Sequence, residues 1–571
     1  MNYKEEYLRW LDLFADDPET IQELRSIADD EKEIEDRFYT ELAFGTAGLR
    51  GVLGMGANRM NVYNVRRATM GVAKYLIAQG VQDQGVAVAY DSRIKSDVFA
   101  KETALTLAAA GVKAYLFDAL RPVPVLSYAV RHLGCAAGVV ITASHNPPQY
   151  NGYKVYASDG AQLGPEAADA VTKYIRALNY ADCKPMDEAE AKEKGLLQII
   201  GSKEVDDDYI AMIKTLAQRP ELLAARGKDL NIVYTPLHGS GNVPVQRLLR
   251  ELGVHYTVVP EQEKPDGRFP TVKAPNPEDP NAFTLAIPLA EKVGATAVFG
   301  TDPDCDRLGA AVQDGQGVFH TLTGNQIACL MLSHILKSKK ENGTLPKNGA
   351  AVKSVVSTEL ARAICRDYGV EMFEVLTGFK FIGEKIQQFE ETGSHTFLFG
   401  FEESFGYLSG TQVRDKDGVN ASLLLCEAVC ACMEKGETLY DALQALYRKY
   451  GYYKETNVSV TLPGKDGVAR IAGIMSSLRD NPPAQVAGLK VLAVRDFARG
   501  VQIADGKETA LDFPKSNVLY YELEDSNWIC VRPSGTEPKI KLYVASKADS
   551  QAAADELNAR MSQAAQKLMQ V

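Results

Sequence analysis

The feature that most restricts what this chain can become is a junction that occurs three times, where an apolar run stops abruptly in a polar, turn-forming loop. Val139-Val140-Ile141 passes through Thr142-Ala143 into Ser144-His145-Asn146-Pro147-Pro148 and then Asn151-Gly152. Ala295-Thr296-Ala297-Val298-Phe299-Gly300 runs into Thr301-Asp302-Pro303-Asp304-Cys305-Asp306-Arg307. Thr396-Phe397-Leu398-Phe399-Gly400 runs into Phe401-Glu402-Glu403-Ser404-Phe405-Gly406. Short apolar runs bounded by turn formers read as strands buried on both faces. Helical periods at 66–79 and 98–110 alternate with strands at 85–90, 113–117 and 138–142. That alternation predicts a largely parallel, helix-covered sheet, whose ligands lie beyond the carboxyl ends of its strands.

The pattern recurs with strands at 230–235 and 255–259, and again at 351–356 and 372–376, although the letters alone do not establish a repeat. After Tyr453 the texture changes to consecutive strands at 456–462, 489–494, 518–523, 528–531 and 539–544, with helices at 468–478 and from 551. The expected fold is therefore α/β, with three α/β units of mainly parallel sheets and a smaller C-terminal α+β domain. The 571 residues divide into an N-terminal extension of two acidic helices at 1–40, α/β domains at 41–207, 208–322 and 323–453, and an α+β domain at 454–571.

Composition removes several function classes. A formal net charge of -11 argues against nucleic acid or an anionic membrane as a partner. No apolar run approaches the roughly 20 residues that span a bilayer. The charged, amphipathic start is unlike a signal peptide, and the expected location is the cytoplasm. Nine cysteines lie without paired spacing, and Cys426 and Cys430 fall on the core stripe of a helix.

The loops carry the chemistry. Pro147 fixes its own φ and biases Asn146 away from helix, so the shape of the turn is set before a ligand arrives. Ser144 is then a nucleophile candidate with His145 and Lys154 nearby; the alternative is a polar turn capping a strand. Residues 44–56 form a glycine-dense loop in which Arg50 is suited to clamping phosphate, unless it is a flexible entry loop. In an extended segment, Asp302, Asp304 and Asp306 point to one side and offer hard oxygens to Mg2+. Arg307 follows them as a phosphate partner, and the alternative is a solvated acidic turn. An EF-hand is excluded, because its Gly and its final Glu are missing. Glu402 and Ser404 suit sugar hydroxyls. Thr377-Gly378-Phe379-Lys380 follows a strand and reads equally well as a strand-to-helix turn. Arg532, Ser534, Gly535 and Thr536 combine side-chain and backbone donors into a phosphate site, against the alternative of an ordinary hairpin. A nucleophilic serine, a divalent metal, a hydroxyl reader and a phosphate cradle together describe phosphoryl transfer on a phosphorylated polyol.

The ordered set FGTAGLRG, TASHNPPQYNGYK, GTDPDCDR, GFEESFG and RPSGTEPK resembles the α-D-phosphohexomutase superfamily of phosphoglucomutases and phosphomannomutases. Its first member is most similar to the phosphoglucomutase and phosphopentomutase branch. The resemblance implies three related α/β domains and a TBP-like fourth domain around one cleft. It implies that Ser144 carries the phosphoryl group as phosphoserine. Asp302, Asp304 and Asp306 would bind Mg2+ with an oxygen of that group. Glu402, Ser404, Thr377 and Gly378 would meet the sugar, and Arg532, Ser534, Gly535 and Thr536 its non-reacting phosphate. Arg50, His145, Lys154 and Arg307 match positions near the phosphoserine, and Lys380 matches one only approximately. The implied reaction converts glucose 1-phosphate to glucose 6-phosphate, with glucose 1,6-bisphosphate as intermediate and activator. The implied partner is a small sugar phosphate, bound by a monomer or homodimer. Phosphopentomutase activity competes on the same scaffold. Phosphomannomutase activity is less favoured, because Glu403 stands where that type usually has Met. A phosphoserine-dependent sugar phosphatase and a non-catalytic sugar-phosphate sensor are the rivals from other classes.

Overall fold

Strand Ala137–Ile141, Ala-Gly-Val-Val-Ile, is buried along its whole length between two neighbouring strands, as its uniformly apolar sequence suggests. The computed structural model describes residues 2–45, 48–462, 464–534 and 539–569. In the first sheet the strand order is Leu49–Val52, Tyr150–Ala157, Ala137–Ile141, Val86–Tyr90, Ala114–Phe117, Leu197–Ile200. The last four run parallel. Helices Ser96–Ala109 and Val123–His132 supply the crossovers that parallel neighbours require. The turn after Ser144 is too short for a crossover, so Tyr150–Ala157 returns antiparallel and places Lys154 opposite Val140.

Two expectations need correction here. Residues 44–56 are not wholly a loop, because Leu49–Val52 is a strand antiparallel to Tyr150–Tyr153, with Arg50 opposite Gly152. Its partner lies a hundred residues away in sequence, out of reach of any local pattern. The N-terminal extension holds three helices rather than two: Tyr3–Leu13, Pro18–Ser26 and Glu31–Phe38. The carboxylates of Asp17 and Asp30 each cap a new helix start, which divides one acidic stretch into shorter pieces.

The second sheet has the order Phe319–Thr321, Leu308–Gln313, Ala297–Thr301, Asn231–Thr235, His255–Val258. Its last three strands are parallel, and the first two fold back antiparallel after the aspartate loop. The chain divides into two compact units, Met1–Pro346 with Phe379–Leu439, and Lys347–Gly378 with Tyr440–Val571. In the first unit, Thr396–Glu402 and Gly406–Leu408 form a tight hairpin. In the second, Gly349–Ser354 pairs parallel with Glu371–Val375. There, Tyr452–Thr461, Lys539–Ala548, Trp528–Pro533, Leu519–Leu523 and Leu489–Asp496 are antiparallel neighbours. Helices Gly464–Asp480 and Gln551–Leu568 contribute Met475, Leu478 and Met561 to a core with Leu519, Val531 and Leu542. The result is α/β sheets with parallel centres and antiparallel edges, and a C-terminal α+β domain. All nine cysteines are buried free thiols. Among the described residues no helix is long and apolar enough to cross a membrane.

Candidate active site

Ser144 follows the fully buried strand Ala137–Ile141 in a left-handed backbone conformation, φ 51°. Its N–H donates to Thr142 Oγ1 at 2.8 Å. Its hydroxyl donates to Asp302 Oδ2 at 2.8 Å and lies 3.2 Å from His145 Nδ1. The loop is held from beneath by Arg93, whose guanidinium donates to the carbonyls of Ser144 (2.5 Å), Pro147 (3.0 Å), Tyr150 (3.0 Å) and Asn146. Arg93 is buried against Asp91 and lies over the Phe269 ring. Arg50 reaches the same loop, donating to Asn146 Oδ1 at 3.2 Å.

Asp302, Asp304 and Asp306 are all buried, with one oxygen of each within 4.8 Å of the others. An extended backbone does not bring them together, as the two-residue spacing suggests. The chain turns at Pro303–Cys305, with Cys305 at φ 50° and its N–H on Asp302 O. Pro303 supplies the fixed φ that a turn of this kind uses. Lys154 Nζ lies 2.9 Å from Asp304 Oδ2 and 3.7 Å from Asp306 Oδ2. Thr142 Oγ1 also donates to Asp304 Oδ2, at 3.1 Å. Asp304 Oδ1 and Asp306 Oδ1 are buried with no hydrogen-bond partner among the described residues. Burial, Asp304 and Asp306 push the carboxyl of Asp302 well above its ordinary range, because three anions in one dry pocket resist ionising together. Two orphaned hard oxygens beside a third carboxylate and a serine hydroxyl fit a divalent cation, whose charge would relieve that repulsion.

Two further cations complete the cluster. Lys416 Nζ is 3.1 Å from Asp306 Oδ2 and 3.0 Å from Asp415 Oδ1. Burial disfavours its charge, but Asp306, Asp415 and Glu402 outweigh burial and push the ammonium above its ordinary range. Arg307 pairs with Glu278 and lies 3.9 Å from Asp306 Oδ1. Its charge too is held against burial by Glu278, Asp306, Asp302 and Glu402. Glu402 ends its strand nearly buried, and the hairpin turn through Ser404 is tied to the aspartate loop by Leu308 N–H donating to Phe405 O. His145 is half-buried, and burial with Arg307 and Arg50 depresses its pKa, which favours the neutral imidazole.

Ser144, His145, Lys154, Arg50, Arg307, the three aspartates and Glu402 thus gather in one place within the first unit. Thr377, Gly378, Arg532 and Ser534 belong to the second unit. Gly378 there has φ 121°, and Ser534 N–H donates to Lys539 O, closing the hairpin that follows Arg532. Gly535 and Thr536 lie outside the described residues. Lys380 lines a cavity of about 420 Å³ with Ala157, Gln162 and Phe381. Ala157 pairs with Ala137, at the opposite end of that strand from Ser144, so Lys380 stands apart from the cluster.

Sequence reasoning missed Arg93 and Lys416. Arg93 sits in a charged segment directly after an apolar run, Tyr90-Asp91-Ser92-Arg93, the junction pattern that exposed the other loops. Lys416 carries no such signal, because Val413-Arg414-Asp415-Lys416-Asp417 follows the polar stretch Ser409-Gly410-Thr411-Gln412.

The chain matches four protein families in order. They are the phosphoglucomutase/phosphomannomutase alpha/beta/alpha domains I (residues 41–181), II (207–315) and III (323–450), and the C-terminal domain (455–564). A phosphoglucomutase of Staphylococcus aureus (strain MRSA252) is 40% identical over 523 residues, 90% of this chain and 92% of that relative. Two solved structures share the fold. A phosphoglucomutase/phosphomannomutase family protein of Burkholderia thailandensis has a TM-score of 0.68 at 20% identity, over 92% of this chain and 97% of its own. The exocytosis-sensitive phosphoprotein pp63/parafusin (phosphoglucomutase) of Paramecium, in an open form, has a TM-score of 0.68 at 18% identity, over 93% and 95%.

Proposed function

The chain belongs to the phosphoglucomutase/phosphomannomutase family of the α-D-phosphohexomutase superfamily, and on that premise we propose that it interconverts α-D-glucose 1-phosphate and glucose 6-phosphate through a phosphoserine at Ser144. One observation carries the reading: the Ser144 hydroxyl rests on a buried aspartate whose two companions keep oxygens without hydrogen-bond partners. The relative named phosphoglucomutase, matched over nine-tenths of the chain, supports glucose as the sugar.

In the forward direction a free sugar hydroxyl attacks the phosphorus on Ser144. The new P–O bond forms to the sugar, the bond to Ser144 Oγ breaks, and glucose 1,6-bisphosphate results. After the intermediate turns round, its other phosphate passes to Ser144, and glucose 6-phosphate leaves. A nearby His or Lys is assigned the proton of the attacking hydroxyl, and a proton returns to the departing Ser144 Oγ, which lies 3.2 Å from His145 Nδ1. Asp302, Asp304 and Asp306, with an oxygen on Ser144, would hold Mg2+, which spreads the charge of a phosphoryl group in transfer. Lys154 and Lys416 balance the carboxylates and keep them in register. Arg50 and Arg307 supply guanidinium donors for phosphate oxygens. Glu402, Ser404, Thr377 and Gly378 are assigned the sugar, and Arg532, Ser534, Gly535 and Thr536 its non-reacting phosphate. Nine free thiols suit a reducing compartment, which supports placing the enzyme in the cytosol.

The deciding experiment compares initial rates on glucose, mannose and ribose 1-phosphates with Mg2+ and glucose 1,6-bisphosphate present, while free phosphate is followed in parallel. The fastest rate should be on glucose, with no phosphate released. A ribose rate well above it overturns the substrate assignment, and phosphate release in step with substrate loss makes the protein a hydrolase.

A further inference from the structure

We infer that the three N-terminal helices, outside the matched family domains, form a clamp that positions Arg50 for phosphoryl transfer, with Glu23 and Arg37 gripping the backbone of Met55. The inference rests on the reading of Arg50 given above.

The strand that carries Arg50, Leu49–Val52, is four residues long and lies at the edge of its sheet. Short edge strands fray, and a guanidinium that must meet a phosphate within a few tenths of an ångström cannot rest on a fraying strand. Three residues beyond Val52, both backbone groups of Met55 are taken by the extension. Its N–H donates to Glu23 Oε1 at 2.8 Å, and its carbonyl accepts from Arg37 Nη1 at 3.0 Å. Glu23 and Arg37 are themselves paired at 2.6 Å. Arg37 also donates to Glu33 at 2.8 Å, and its carbonyl accepts from Asn58 N–H at 2.9 Å. Nearly buried Arg59, from the same turn, reaches back to Asp36 at 2.5 Å.

The fit depends on glycine. Gly56 has φ 141°, and a Cβ there would stand 2.9 Å from Arg37 Cβ and 3.0 Å from Arg37 O. Gly54 has φ 146°, and a Cβ would lie 3.1 Å from Glu23 Oε1. Beneath the turn, Met55, Ala57 and Tyr63 share an apolar cluster with Trp10, Phe14, Leu24 and Phe38, which anchors all three helices to it. On its other side the turn is continuous with the site. Met60 N–H donates to Val52 O at 2.8 Å, and Leu53 N–H to Gln149 O in the serine loop at 2.8 Å. Arg50 then meets Asn146. The path from Glu23 to the serine loop is therefore a continuous run of hydrogen bonds and one short strand.

The test is a double-mutant cycle in the full-length enzyme, reading kcat and KM for glucose 1-phosphate and the thermal midpoint. Glu23→Gln should lower kcat by about fivefold with KM held within about twofold, and Arg50→Lys should lower kcat on its own account. If the clamp acts through Arg50, Glu23→Gln costs less than about twofold in the Arg50→Lys background. Full kcat in Glu23→Gln, or effects that multiply in the double variant, would overturn the clamp. Full kcat in Arg50→Lys would overturn the assignment of Arg50, a separate failure. Should Glu23→Gln not fold, Arg37→Lys, which keeps the charge and loses the fork, enters the same cycle with the same outcomes.

Discussion

The hydroxyl of Ser144 reaches Asp302 because residue 144 turns left-handed, a conformation that costs a serine about 1 kcal/mol and that the grip of Arg93 on the loop offsets. Ser144→Ala should therefore fold with a thermal midpoint within about 2 °C of the parent, yet lose isomerisation by at least about 10³-fold. Undiminished turnover in that variant removes the phosphoserine from the mechanism. Lys416 bears a different load. Lys416→Met strands Asp306 and Asp415 without their shared ammonium, and urea denaturation should show about 3 kcal/mol less stability. A loss below about 1 kcal/mol would mean that the two carboxylates find other relief. Ser144 and the aspartates were legible in the sequence because each stands a few positions past a buried strand. Arg93 was not, since the carbonyls it holds lie 51 to 57 residues further along the chain.

Among the elements, the aspartate loop brings its three carboxylates together as expected, but by a different backbone. Spacing two apart suggested a straight segment with side chains on one face, but a turn at Pro303–Cys305 gathers the three carboxylates. A neighbouring loop makes that turn possible. Leu237 and His238 are both left-handed, at φ 46° and 61°, and Ser240 then donates through N–H and Oγ to Pro303 O at 2.8 and 2.7 Å. The segment Thr235-Pro236-Leu237-His238-Gly239-Ser240-Gly241 had no role legible in the sequence, because its partner is another loop. A Cβ on Gly239 would come within 2.5 Å of Pro303 Cα. Gly239→Ala should shift the aspartates and weaken Mg2+ binding by about tenfold in a calorimetric titration. An unchanged affinity would show that the loop yields without moving its carboxylates.

At the scale of the whole chain, alternation of strand and helix was enough to foresee the layered sheets, whereas antiparallel edges such as Leu49–Val52 escaped notice because their pairing is long-range. Within the second unit, an ion network joins Lys353, Glu359, Arg362, Glu374 and Arg495. Burial opposes the charge of Glu374, but Lys353, Arg495 and Arg362 hold its pKa at about 2, below the ordinary 4.5. A carboxylate whose folded pKa is depressed stabilises the fold above its unfolded pKa and loses that contribution as pH falls through the folded value. This unit should lose up to about 3 kcal/mol between pH 4.5 and pH 2, and Glu374→Gln should flatten that part of the acid limb. Equal acid sensitivity in both proteins, followed by thermal unfolding, would exclude Glu374 as the cause. A last consequence follows from Arg93, which binds four carbonyls of the serine loop and lies over Phe269 of the neighbouring sheet domain. The platform under the serine is finished without help from the serine's hydroxyl. On the proposed mechanism an esterified hydroxyl would sit on the same footing as a bare one, so the loaded and discharged forms of the catalyst should interconvert without refolding of this loop.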